Sequence, residues 1–204
     1  MKKIISLGLI SIIYSMNIVA NEIKILDFDV GGVKLKMDPK TVIETLKSTY
    51  SLKDEDILIL KGSPWGKTYK KDMDLSRVST IRQAERGTSP DFYIGFCISE
   101  ENNESEVRSV EYGIPNTKEN RKKMYDLSVK KYGYPTFSSY SKTTHTWCDE
   151  NKKTRIIGTT YTCTKKDPRR MLNLRSSSIA LSSNECMLNN IKILEKRKNT
   201  TPKF

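Results

Sequence analysis

The sequence predicts an α+β protein, with helices packed on an antiparallel β-meander, and three features carry that reading. Each half of the chain contains one segment whose apolar residues fall three to four apart behind a helix-start signal. Each of these is followed by short alternating runs cut by Gly, Pro and Asn, the pattern of antiparallel strands joined by tight turns. Finally, only 36% of the 204 residues are apolar, which limits the core to one thin layer between helix and sheet. The expected arrangement is a first α+β unit over residues 21–112, a second, basic unit over 113–198 and a tail at 199–204. The units form either two degenerate repeats with a junction near 112–116 or one continuous sheet shared by both.

In the first unit, alternation from Ile23 to Val33 predicts a strand bent at Gly31-Gly32. Asp38-Pro39 then supplies an N-cap acceptor and the preset φ of a first helical residue, and Val42, Ile43, Leu46 and Tyr50 mark the buried helical face. Ile57 to Leu60 reads as a strand, 62–66 as a turn-rich loop, and Arg77–Ala84, Phe92–Ser99 and Val107–Tyr112 as further strands. In the second unit, Asn116 to Glu119 has reciprocal capping spacing, and Met124, Leu127, Ser128 and Tyr132 continue a helical stripe until Gly133. Thr143–Cys148 and Arg155–Thr164 predict a hairpin around the loop 149–153, and Met171–Ser177 another strand. Ser182 and Glu185 then box the start of a last helix with an apolar stripe of Met187, Leu188, Ile191 and Leu194.

The first twenty residues read as a cleavable export leader: Lys2 and Lys3, an apolar run from Ile4 to Ala20 diluted by Ser6, Ser11, Ser15 and Asn17, and a small residue before Asn21. An uncleaved anchor needs about 18 or more continuous apolar residues. The implied destination is the periplasm or the medium. No cysteine lies at the cleavage point, which argues against a thioether lipid anchor. Four cysteines, Cys97, Cys148, Cys163 and Cys186, then predict two structural disulfides. Cys148 with Cys163 across the expected hairpin, leaving Cys97 for Cys186, is the favoured pairing among three. No Cys-x-x-Cys and a single histidine speak against redox and zinc chemistry.

Charge divides the chain. Residues 21–112 carry 14 basic and 17 acidic side chains, whereas 113–204 carry 20 and 7. A basic second half suits anionic partners such as lipopolysaccharide, phospholipid headgroups or an acidic protein surface; no specific nucleic-acid motif is present.

The run Gly32-Val33-Lys34-Leu35-Lys36-Met37-Asp38-Pro39, continuing to Leu46, resembles the helix-start signature of small envelope domains of the outer-membrane assembly lipoprotein type (BamE/SmpA-like) and of their fold relative, the β-lactamase inhibitor protein. Those read Gly-Met before the helix and Leu-Gly-x-Pro after it. Here Lys36 stands at the glycine position, and Lys131-Tyr132-Gly133-Tyr134-Pro135 is similar to the exit motif. The resemblance implies a scaffold that binds proteins through its sheet face or loops and lacks catalytic machinery.

Candidate sites follow from chemistry. His145 shares a strand face with Trp147 and is the only imidazole available to a hydrolase, yet nothing marks a nucleophile. The pairs Asp27/Asp29, Asp54/Asp56 and Asp72/Asp74 read as solvated turn charges, and no cofactor or metal is expected. Trp65, set among small residues and followed by Tyr69, reads as an aromatic binding anchor. Lys122, Lys123, Lys130, Lys131 and Tyr134 are the candidate anion contacts on and after the second helix, with Lys165, Lys166, Arg169 and Arg170 as a further basic cluster. The expected function is therefore binding of an envelope or secreted protein, with binding of anionic surfaces as the alternative and a secreted hydrolase third.

Overall fold

The computed structural model describes residues 24–62, 66–84, 91–148, 154–157, 160–163 and 170–200. The leader at 1–20, Trp65, the loop at 149–153 and Lys165, Lys166 and Arg169 lie outside these residues.

A single 3-10 turn, Ile25–Asp27, buries Ile25 completely and leads into β1 (Asp29–Val30) and β2 (Val33–Lys34), which pair antiparallel. The expected bent strand is thus a turn and a hairpin. Gly31 and Gly32 take φ of 62° and 83°, the left-handed pair that two-residue hairpin turns favour. Helix α1 (Pro39–Tyr50) starts as the sequence predicts: Asp38 Oδ1 accepts the Thr41 amide at 3.0 Å, and Val42, Ile43 and Leu46 are buried.

Five strands complete the first half: β3 (Ile57–Leu60), β4 (Lys67–Thr68), β5 (Thr80–Gln83), β6 (Asp91–Ile98) and β7 (Ser105–Gly113). Helix α2 (Lys118–Tyr132) opens the second, followed by β8 (Phe137–Ser138), β9 (Thr144–Cys148), β10 (Thr154–Ile157), β11 (Thr160–Cys163), β12 (Arg170–Arg175), β13 (Ser178–Ser183) and α3 (Glu185–Thr200). One antiparallel sheet of nine strands runs β4-β3-β5-β6-β7-β13-β12-β9-β8. The last strands of the two halves, β7 and β13, meet in the middle, with Val110 opposite Leu181. The fold is α+β, α1 and α2 each preceding an antiparallel meander and α3 closing the chain.

Four local expectations are corrected. Among the described residues, 154–157 and 160–163 do not pair with β9, whose two neighbours are β8 and β12; β10 pairs with β11 instead, Ile157 opposite Thr160, and the sequence places a turn former, Gly158, between them. Strand β13 takes up 178–181, to which the sequence pattern assigns no element, and runs on through Ser182, expected at the helix start. Helix α2 is capped by Thr117, whose hydroxyl accepts the Asn120 amide at 3.1 Å, one residue later than predicted, and Leu127 stays 52% exposed. Ser182 is held inside the sheet between Met171 and Ser109, and it is Ser183, the last residue of β13, whose Oγ accepts the Glu185 amide at 3.1 Å, while the Glu185 carboxylate pairs with Arg170 and Lys36.

Register assigns the side chains to two faces. Ile59, Ile81, Ile94, Val110, Leu181 and Leu172 follow one another across the sheet and are buried beneath α1 and α2. Trp147 continues the row, fully buried, and donates its indole N–H to the Gly133 carbonyl at 2.9 Å, tying β9 to the end of α2. Tyr132 stands edge-on to Trp147, packs on Phe28 at 4.6 Å, and donates its hydroxyl to the Asp29 carbonyl.

Both disulfides form as favoured, Cys97–Cys186 and Cys148–Cys163, with partners 89 and 15 residues apart in sequence. In the chain-entropy account they contribute about 4 to 5 and about 3 kcal/mol. The first fastens α3 to β6. Asn190 adds two bonds, donating to the Ile98 carbonyl at 2.7 Å and accepting the Glu100 amide at 2.9 Å.

Candidate binding surfaces

The second sheet face carries a different set of side chains. Leu58, Arg82, Tyr93, Glu111, Ala180 and Asn173 succeed one another from β3 to β12, and each is partly or fully exposed. Tyr93, 46% exposed, stands near the centre of this row, its hydroxyl 3.4 Å from Thr80 Oγ1. Gly95 and Ser109 mark a bulge where an extra residue, Arg108, enters β7. A Cβ at Gly95 would lie 2.5 Å from Ser109 Oγ, so any side chain there would force the Ser109 hydroxyl to turn away. Among the described helices, α3 alone reaches this face, at the corner where Cys97 and Arg108 meet Cys186 and Met187.

Helix α3 leaves much of its own apolar stripe outside: Met187, Ile191 and Leu194 are 44–49% exposed. The disulfide and Asn190 fix a different side of the helix against the sheet, which is why the predicted stripe is not the buried one.

The sequence-predicted site residues fall in several places. Tyr69 is half-buried against the core near Lys47, whose ammonium lies 5.9 Å from the ring centroid. Lys131 reaches Asp29 Oδ1 at 2.7 Å, so it fastens α2 to the β1–β2 hairpin. Lys122 pairs with Asp126 at 2.5 Å, one turn on; Lys123, Lys130 and Tyr134 are exposed, Tyr134 to 78%. Arg170 pairs with Glu185, and burial, which opposes the Glu185 charge, is outweighed by the Arg170 and Lys36 hydrogen bonds that hold its carboxyl below the usual range.

His145, 7% exposed, lies directly across from Ser138, whose Oγ is 2.8 Å from Nδ1, and packs on Tyr125 with ring centroids 4.4 Å apart. Burial depresses its pKa, and a hydrogen bond to the Lys142 backbone offsets part of that. Of the Asp pairs, Asp27 lies in the first 3-10 turn, whereas Asp29, expected as a solvated turn charge, lies on β1 and accepts from Lys131 and the Gly32 amide. Asp54 holds Lys47, Asp56 accepts the Lys53 amide at 2.8 Å, and Asp74, bonded to Lys61 and Ser76, is pulled well below the ordinary carboxylate range. Among the described residues no three His, Cys, Asp or Glu side chains converge as a metal site, and no helix is long and apolar enough to cross a membrane.

Compared with known proteins, the chain matches no family model, no curated protein and no solved structure.

Proposed function

We propose that this protein is an exported module that binds another protein on the outward face of its sheet and catalyses no reaction. The observation that carries the reading is the composition of that face: Tyr93, Leu58, Leu60 and Met171 stand partly exposed beside Arg82 and Arg175, a mixture of aromatic, methionine and arginine side chains that protein interfaces favour. An antiparallel sheet with α1 and α2 on one side, and α3 only at a corner of the other, is built to present such a surface. The resemblance of 32–46 to envelope domains that bind through a sheet face or loops points the same way. Export is supported by the leader-like first twenty residues together with two closed disulfides.

A second reading, binding of an anionic surface, is favoured by Lys123 and Lys130, exposed on α2. Salt separates the two. Capture of a partner from envelope extract by the chain starting at Asn21 should persist between roughly 50 and 200 mM salt if the sheet face holds a protein, whereas phosphate-dominated binding falls steeply over that range.

A further inference from the structure

A cleft of about 550 Å³ opens between the first half of α2 and the loop joining β8 to β9, on the helix side of the sheet's last strands. Its size suits a small organic ligand and far exceeds what one inorganic anion needs. Its walls combine three kinds of group. Arg121, Lys122 and Lys142 bring positive charge, and no acidic side chain lines the cleft. Ser138, Ser141, Thr143 and Ser176 bring hydroxyls that both donate and accept. Tyr125, His145 and Leu174 form the apolar part, with Tyr125 resting on the His145 ring.

The cations are not equivalent. Lys122 is occupied by Asp126 and Arg121 donates to the neutral Asn116 side chain at 3.1 Å, but Lys142 makes no ion pair among the described residues. Lys142 also holds φ of 52°, a left-handed conformation that glycine or asparagine adopts more easily, at the end of a tight turn closed by its amide on the Ser139 carbonyl at 2.9 Å. Lys36 shares this conformation, and its ammonium has a partner in Glu185. At Lys142 the strained residue instead places a charge with no ion-pair partner among the described residues beside a hydroxyl-rich cleft. A ligand with one anionic group and several hydroxyls satisfies all three walls at once.

We propose that this cleft binds a phosphorylated sugar, Arg121 and Lys142 taking the phosphate, the four hydroxyl side chains the sugar hydroxyls, and Tyr125 and Leu174 its C–H face. The site lies on the opposite side of the sheet from the protein-binding face and stands independently of it.

Titration calorimetry of the chain starting at Asn21 with glucose monophosphate, glucose and inorganic phosphate tests it. Phosphatidylcholine vesicles with and without phosphatidylinositol monophosphate form the second arm. The ester should bind at least about tenfold more tightly than either glucose or inorganic phosphate. Arg121→Gln and Lys142→Gln should each weaken it about tenfold or more, as loss of a charge-assisted contact does, and Lys130→Gln, on the same helix outside the cleft, should not. Binding of the soluble ester supports a free sugar phosphate as the source; binding only of the inositide vesicles supports a lipid headgroup. Failure of both, inorganic phosphate binding as tightly as the ester, or equal losses from Lys130→Gln overturns the proposal.

Discussion

The Tyr50 hydroxyl occupies the space that a side chain on Gly31 would need: a Cβ built there lies 2.1 Å from the phenolic oxygen. The β1–β2 turn and the end of α1 are therefore fitted to each other through one glycine and one tyrosine. Burial also pushes the Tyr50 phenol up to about 12. Gly31→Ala should cost about 2 kcal/mol or more, combining the clash with the left-handed backbone. In a Tyr50→Phe background the closest contact is gone while the ring carbons stay 3.1 and 3.3 Å away, so the same change should cost less, though still more than the backbone part of about 1 kcal/mol. Denaturant unfolding of the four proteins of this cycle checks it, and simple additivity would show that the two residues do not interact.

Lys36 occupies the position where the resembling domains carry glycine, and it does so at φ of 68°. Its ammonium reaches Glu185 at 3.0 Å, so the strain is offset by a contact between the start of α1 and the start of α3. Lys36→Gly should leave stability within about 1 kcal/mol, relief of strain roughly cancelling loss of a half-exposed ion pair. With Glu185→Gln already in place the pair is gone, and Lys36→Gly should then stabilise. Melting temperatures of the two backgrounds decide.

How much of this was legible in the sequence depends on how local the cause was. Helix α1 was readable because Asp38, Pro39 and the apolar stripe lie within one stretch; the favoured disulfide pairing forms, although the hairpin that suggested it, β9 with 155–164, does not. Strand β13 was hidden: Ser178 to Ser183 offers three apolar residues between serines, and the turn before it uses Ser176 at φ of 56° where a glycine or asparagine would have announced a hairpin. The exposed stripe of α3 misled because a covalent bond, not apolar burial, orients that helix. Likewise Arg121 and Lys142 are brought to one cleft by the β8–β9 pairing, a long-range relation that charge clusters along the chain do not reveal.

Removing the Cys97–Cys186 bridge by a double alanine substitution should lower stability by several kcal/mol, about 4 to 5 in the entropic limit. The loss should be uneven. Asn190 and the Arg197–Glu100 pair remain, but amide exchange in α3 should rise ahead of that in the central strands, because the helix presents little buried apolar surface of its own. Uniform exchange across α3 and β7 would contradict this.

His145 makes the protein sensitive to mild acid. Burial depresses its folded pKa, so the unfolded chain takes up a proton that the native state resists. The associated stability is complete above about pH 6.5 and is lost as the pH falls through the lower folded value. The melting temperature should therefore drop between roughly pH 7 and 5, and should drop less in His145→Gln; equal slopes would remove His145 as the cause.

The central claim, that a protein partner is held against the outward sheet face, is tested most directly at Tyr93. The measurement is capture of the partner from envelope extract by wild type, by Tyr93→Ala and by Lys123→Ala on the helix side, with the melting temperature of each. The account predicts that capture is lost in Tyr93→Ala at nearly unchanged melting temperature and retained in Lys123→Ala. Undiminished capture by Tyr93→Ala, or its loss in Lys123→Ala instead, would contradict it.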